Sequence, residues 1–171
     1  MNQEIYKNHP LIKQALTCSS YASENNMADN KAMATIGDKL LSFLFLEYVS
    51  AGDTKYSMEE LTNMNELIQD NKIQNKIGSI IFVETLKPFS SNNDLTSKKA
   101  YATCLEAYVY ALYKIDGLET AMSFIKNSII LLMKTKKVLK FINDLISKRD
   151  QENGKNWNKV WIDFQHFLSI Q

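Results

Sequence analysis

Two acidic residues stand out by the company they keep. Asp38 follows Ile36 and Gly37, just ahead of a run from Leu40 to Val49 in which only Ser42 and Glu47 are polar. Glu106 sits in KKAYATCLEAYVYALY, among the small residues Ala102, Thr103 and Ala107. An acid at the edge of an apolar helix needs a partner, a cation or a water-filled cleft, because burying it alone is prohibitive. A glycine inside a helix costs about 1 kcal/mol relative to alanine, so Gly37 is expected to serve a close backbone approach. If the two helices cross at their small residues, Asp38 and Glu106 converge on one cation. Periodicity does not decide whether they do, and the plainer reading is a pair of partly exposed acids at the edge of a bundle.

The elements that would position these acids read as helices. Residues 30–50 form a central helix that is apolar nearly all round, which requires burial with other helices wrapped about it. Asp29 or Asn30 would cap it, and Ala51-Gly52-Asp53 would stop it. Ahead of it, Pro10 suits the first turn of a helix over LIKQAL, and the segment after Tyr21, SENNMADN, reads as a loop. Ser57-x-x-Glu60 is a capping box opening a helix striped by Leu61, Met64, Leu67 and Ile68. Residues 71–77 suggest a short helix closed by Gly78. The β-rich SIIFVETL has no strand to pair with, so an extended connector or helical turn is expected.

Pro88 to Thr96 reads as a polar loop, after which Ser97 would cap a long helix ended by Asp116-Gly117. Leu118, Ala121, Met122, Ile125, Ile129 and Leu132 recur at helical spacing. Lys126, Lys134, Lys136, Lys137 and Lys140 gather ahead of a helix ending near Lys148-Arg149, with DQENGKN as a linker. Trp157, Val160, Trp161, Phe164 and Leu168 give a last short helix that must dock on something. The expectation is an all-α chain of seven or eight helices: one domain over residues 1–150, with a C-terminal helix over 151–171 packed on it.

The 171 residues suffice for one domain with a substantial core. A net charge of +1 does not by itself advertise a nucleic-acid binder, since distribution matters more than the total. Cys18 and Cys104 form no C-x-x-C pair and suggest a reducing compartment, hence core thiols rather than a disulfide. With no leader-like segment and no run of eighteen apolar residues, a soluble cytoplasmic protein is expected, with no membrane partner. His9 and His166 are far apart and lack companions for a metal site or a catalytic triad.

At this point the residues resemble a family. Ala15-Leu16-Thr17-x-Ser19-Ser20-Tyr21, then Asn30, then Ile36-Gly37-Asp38-x-x-Leu41, then Leu105-Glu106-Ala107 with Ala111-x-Tyr113 resemble the ribonuclease III endonuclease domain over about residues 8–130. The family's signature acids would fall on positions 34, 38, 103 and 106, but this chain carries Ala34 and Thr103. Lys31 and Ala32 replace the usual charged pair, and Tyr110 stands where the family generally has glycine. The short branch called Mini-ribonuclease III has A-x-I-G-D and A-T-x-F-E-A, which matches Ala34 to Asp38 and Ala102 to Ala107 more closely.

The resemblance implies an all-helical homodimer that cleaves double-stranded or structured RNA with Mg2+ (Mn2+ being possible), leaving 5′-phosphates. Asp38 and Glu106 would be the metal ligands, since magnesium commonly binds through one or two carboxylates plus substrate phosphate oxygens. Thr103, one turn before Glu106, would orient a water. Lys98, Lys99, Lys72 and Lys76 are the candidates for RNA phosphate contact, each equally readable as part of a solvated face. The alternative is a catalytically inactive member serving as a structural or RNA-binding subunit.

Overall fold

The computed structural model describes residues 6, 8–51, 55–82, 84–86, 99–153 and 156–170, leaving aside the side chains of 132–133, 152–153 and 167–170. Among these residues the chain is all-α. Its eight helices are α1 (Pro10–Leu16), α2 (Ser19–Asn25), α3 (Lys31–Ser50), α4 (Met58–Ile68), α5 (Asn71–Ile81), α6 (Ala100–Lys134), α7 (Lys136–Asn153) and α8 (Trp157–Ile170). None is long and apolar enough to cross a membrane. Ser97, Lys98 and the loop before them lie outside the described residues.

The punctuation predicted from side-chain chemistry is present. Pro10 begins α1, where its missing N–H costs nothing, and His9 Nδ1 accepts from the Leu11 amide at 3.2 Å. Ser57 and Glu60 satisfy one another's backbone amides across the first turn of α4. Gly117 adopts φ 83° and ψ −171°, so the expected stop at Asp116-Gly117 is a sharp kink within α6 rather than a loop.

The core is built where α3 meets α6, the most extensively packed pair, with α5 and α1 also laid on α6. Leu44, Phe45 and Val49 of α3 are fully buried, as are Cys104, Ala107, Val109 and Leu112 of α6. Burying each large aliphatic or aromatic side chain is worth about 1.5–3 kcal/mol, so this interface dominates stability. Tyr108 packs its ring at a tilt, with centroids 5.1 Å from Phe82 and 5.0 Å from Phe124, which places it in the core. In α8, Trp157, Val160, Trp161 and Phe164 are buried: Phe164 lies 5.7 Å from Phe45, and Trp161 donates its indole N–H to Asn143 at 2.7 Å.

Four expectations need correction. α3 is not enclosed all round: Ile36 is 50% exposed and Phe43 49%, with Leu40 half-buried between them. Those residues recur at helical spacing on the one face that α6 and α4 leave open. The expected loop over residues 23–30 is helix as far as Asn25, where α2 is closed by Asn26 at φ 52°, a left-handed conformation asparagine tolerates, and only the remainder is loop. Gly78 does not end α5 but lies within it, because a Cβ there would come 2.3 Å from the Tyr101 carbonyl oxygen; the β-rich run begins as the last turn of that helix. Finally, α7 continues through most of the expected linker, and Asp150 accepts from the Trp157 and Asn158 amides to start α8.

Candidate active site

Gly37 is where α3 and α6 touch at the backbone. A Cβ on it would lie 1.9 Å from the carbonyl oxygen of Glu106 and 2.5 Å from its carbonyl carbon. Only a residue without a side chain permits that approach. The crossing brings Asp38, the next residue, into the electrostatic neighbourhood of Glu106. Burial first, and the Asp38 charge second, push the Glu106 carboxyl up to about 7, while Lys99 and Lys39 pull it down. The two helices do cross at Gly37, and the Asp38 charge is felt at Glu106.

The Asp38 carboxylate is 27% exposed and pairs with Lys39 Nζ at 2.8 Å. That pairing raises the ammonium's affinity for its proton. From the end of α4, Gln69 donates a long 3.4 Å hydrogen bond to the Asp38 carbonyl. Thr103 is half-buried one turn before Glu106, on the same side of α6. Ala34, one turn before Asp38, is buried at 5% exposure, so that position holds packing rather than a donor.

A buried asparagine braces this crossing. Asn30 Nδ2 donates to the Ala15 carbonyl at 3.1 Å and to Cys104 Sγ at 3.3 Å, while its backbone N–H reaches the Thr17 carbonyl at 3.1 Å. It thus ties the end of α1 to the start of α3 and to α6 two residues before Glu106. With its amide turned inward, Asn30 does not cap α3. Asp29 does so instead, accepting from the Lys31 amide at 3.2 Å and from the Ser19 hydroxyl at 2.6 Å.

Among the described residues no group of three or more His, Cys, Asp or Glu side chains gathers as a metal cluster. Two partly accessible carboxylates suit magnesium, which keeps several waters and completes its shell with phosphate oxygens. They do not suit zinc, which demands three or four protein donors of its own. Of the lysines singled out, Lys99 is exposed and its charge is felt at Glu106. Lys72 is exposed at the start of α5. Lys76 is half-buried with its ammonium 5.8 Å from the Phe141 ring centre, so part of it is committed to packing. Lys39 went unremarked in the sequence, although adjacency to Asp38 was the available signal.

A family model described as Ribonuclease-III-like matches residues 8–133. The chain is similar to Ribonuclease 3 of Clostridium acetobutylicum, 31% identical over 125 residues covering 70% of this chain and 54% of that protein. It is similar to Ribonuclease 3 of Mycoplasmopsis synoviae, 28% identical over 127 residues covering 71% and 55% respectively. With Ribonuclease 3 of Syntrophomonas wolfei subsp. wolfei it shares 27% identity over 171 residues, covering 86% and 68%. The chain spans about half the length of the first two relatives.

Proposed function

The chain belongs to the ribonuclease-III-like family, and from that premise we propose that it is a magnesium-dependent endoribonuclease acting on double-stranded or structured RNA in the cytoplasm. The observation that supports the reading is the Gly37–Glu106 backbone contact, which brings the α3 and α6 backbones together at the two acids, so that the Asp38 charge is felt at Glu106. Asp38 and Glu106 would hold the cation, as the resemblance to the Mini-ribonuclease III motif pattern implies. A bound magnesium supplies Lewis-acid polarisation of the scissile phosphate and eases deprotonation of a water. Thr103 hydrogen-bonds and orients that water. Lys39 and Lys99 offset phosphate charge beside the carboxylates, with Lys72 further along the RNA path and Lys98 a candidate from the sequence alone. The rival reading, an inactive subunit, rests on Ala34 and Thr103, where two of the family's acids are missing.

Without a cation, Glu106 is a stability liability. Its proton is held more tightly in the folded than in the unfolded chain, so no penalty exists below pH 4.5. The penalty grows as pH rises and is complete above about 7. Allowing for the partial openness of the site, it amounts to roughly 2 kcal/mol. Glu106→Gln is therefore expected to raise the melting temperature of the metal-free protein by roughly 5 °C at pH 8 and hardly at all at pH 4. Magnesium is expected to stabilise the wild type at pH 8 but neither Glu106→Gln nor Asp38→Asn. Equal stabilisation of all three by magnesium would remove these carboxylates from the metal site.

The same reading makes the protein a homodimer, supported by the open face of α3 that carries exposed Ile36 and Phe43 with half-buried Leu40 between them. An apolar face rimmed by the charges of Lys39 and Glu47 suits a second copy of itself better than solvent. Phe43→Glu alters only a half-exposed side chain, so the fold should survive. Sedimentation equilibrium is expected to give twice the chain mass for the wild type and a single chain mass for the variant.

A further inference from the structure

Helix α6 carries both Thr103 and Glu106, yet the residue that opens it cannot cap it. The Thr103 amide bonds back to the Lys99 carbonyl at 2.9 Å, which makes Lys99 the capping position. A lysine side chain has donors and no acceptor, so it cannot serve the free amides of the first turn. The acceptor comes from another helix. Asn75 Oδ1, on α5, receives the Tyr101 amide at 3.0 Å and the Ala102 amide at 3.3 Å. Three residues along α5, Gly78 meets the Tyr101 backbone so closely that a Cβ would sit 2.3 Å from its carbonyl oxygen. The first turn of α6 is thus held against α5 at two points, one polar and one steric.

We propose that Asn75 is a positioning residue, which fixes where α6 begins and so sets Thr103 and Glu106 at the height along the helix where Glu106 faces Asp38. This rests on the nuclease reading for its functional consequence, but the geometry stands without it. Gly37 against Glu106 fixes how closely α3 and α6 approach; Asn75 fixes how far α6 can slide or fray at its start. Glu106 lies little more than one turn from the capped amides, and Thr103 falls within the same turn as they do. A frayed first turn therefore disturbs the water-orienting hydroxyl directly and the carboxylate through it. Misplacing a catalytic group by 1 Å can cost about a hundredfold in rate, and fraying is a milder disturbance.

The test compares full-length wild type with Asn75→Ala, Asn75→Asp and Asn75→Gln at a temperature well below every melting point. Duplex-RNA cleavage is followed as kcat, KM and the magnesium concentration for half-maximal rate, alongside amide hydrogen exchange of residues 101–106. Asn75→Ala is expected to lose about tenfold in kcat and to need more magnesium, with KM for RNA unchanged and exchange faster through Glu106. Asn75→Asp keeps an acceptor at the same reach and should restore kcat. Asn75→Gln keeps the amide but moves it by one methylene and should not, which decides the matter if the alanine variant fails to fold. Wild-type kcat and magnesium dependence in Asn75→Ala or Asn75→Gln, or no rescue by Asn75→Asp, would overturn the proposal. A wild type that cleaves nothing would sink the nuclease reading instead. The proposal would then stand or fall on whether exchange at residues 103–106 quickens in Asn75→Gln and is restored in Asn75→Asp.

Discussion

Asp38→Asn should lower magnesium-dependent cleavage of duplex RNA by about a thousandfold or more while leaving the chain folded. The magnitude follows from the poverty of the site. Among the described residues no third His, Cys, Asp or Glu joins the two carboxylates in a metal cluster, so none stands in reserve. Removing a single well-placed electrostatic group from an active site typically costs a hundred- to a thousandfold, and here half of the protein donors go. Asparagine preserves shape and removes only charge. Loss of the Asp38 charge also relieves one of the two influences that raise Glu106, so Glu106 ionises more readily and the fold gains rather than loses. Single-turnover cleavage beside circular dichroism separates lost chemistry from lost structure. A variant within tenfold of wild type would mean that Asp38 holds no cation.

Gly37→Ala is expected to be the most damaging single methyl group added to this chain. The new carbon would fall 1.9 Å from a backbone oxygen, with no flexible side chain to swing aside. Overpacking a well-filled core typically costs about 1–3 kcal/mol and occasionally more, and a backbone-to-backbone clash belongs at or above the upper end. The helices can respond only by separating, which opens the core along Leu41, Leu44, Leu105 and Ala107 and parts Asp38 from Glu106. Gly117→Ala makes a useful comparison: nothing lies within 4 Å of its would-be Cβ, and only its positive φ resists a side chain. Urea unfolding should therefore rank Gly37→Ala well below Gly117→Ala in stability, and cleavage should vanish in the former. Equal stability of the two would contradict the crossing on which the site depends.

How much of this was legible depended on whether the deciding physics was local. Capping at Ser57 and Glu60, the proline at the head of α1 and the break at Asp116-Gly117 are set by neighbours in sequence, and each is found where its chemistry puts it. Gly37 was also legible, because a glycine ahead of an apolar helical run has few uses other than close approach. Gly78 carries the same signal, yet the local pattern makes it a terminator. Its partner, the Tyr101 backbone, lies over twenty residues away, and local pattern cannot tell a packed glycine from a stop. The open face of α3 escaped for a related reason. Hydrophobicity says that Phe43 should be covered, and only the tertiary packing decides that α6 and α4 leave it open. Asn75 gave no signal at all, since an asparagine capping a different helix is defined wholly by tertiary geometry. The acids themselves are marked by motif resemblance and chemistry together; periodicity alone leaves the relation between them undecided.

The central claim is that two carboxylates, Asp38 and Glu106, suffice for magnesium-dependent cutting of RNA with Ala34 and Thr103 at the neighbouring motif positions. The most direct test incubates the full-length wild type with a long end-labelled RNA duplex, with magnesium and with chelator. Discrete cleavage products bearing 5′-phosphates, formed only with magnesium, are the predicted result. Duplex that is bound but remains intact under both conditions would contradict the claim, and would leave a family member that has kept the fold and given up the chemistry.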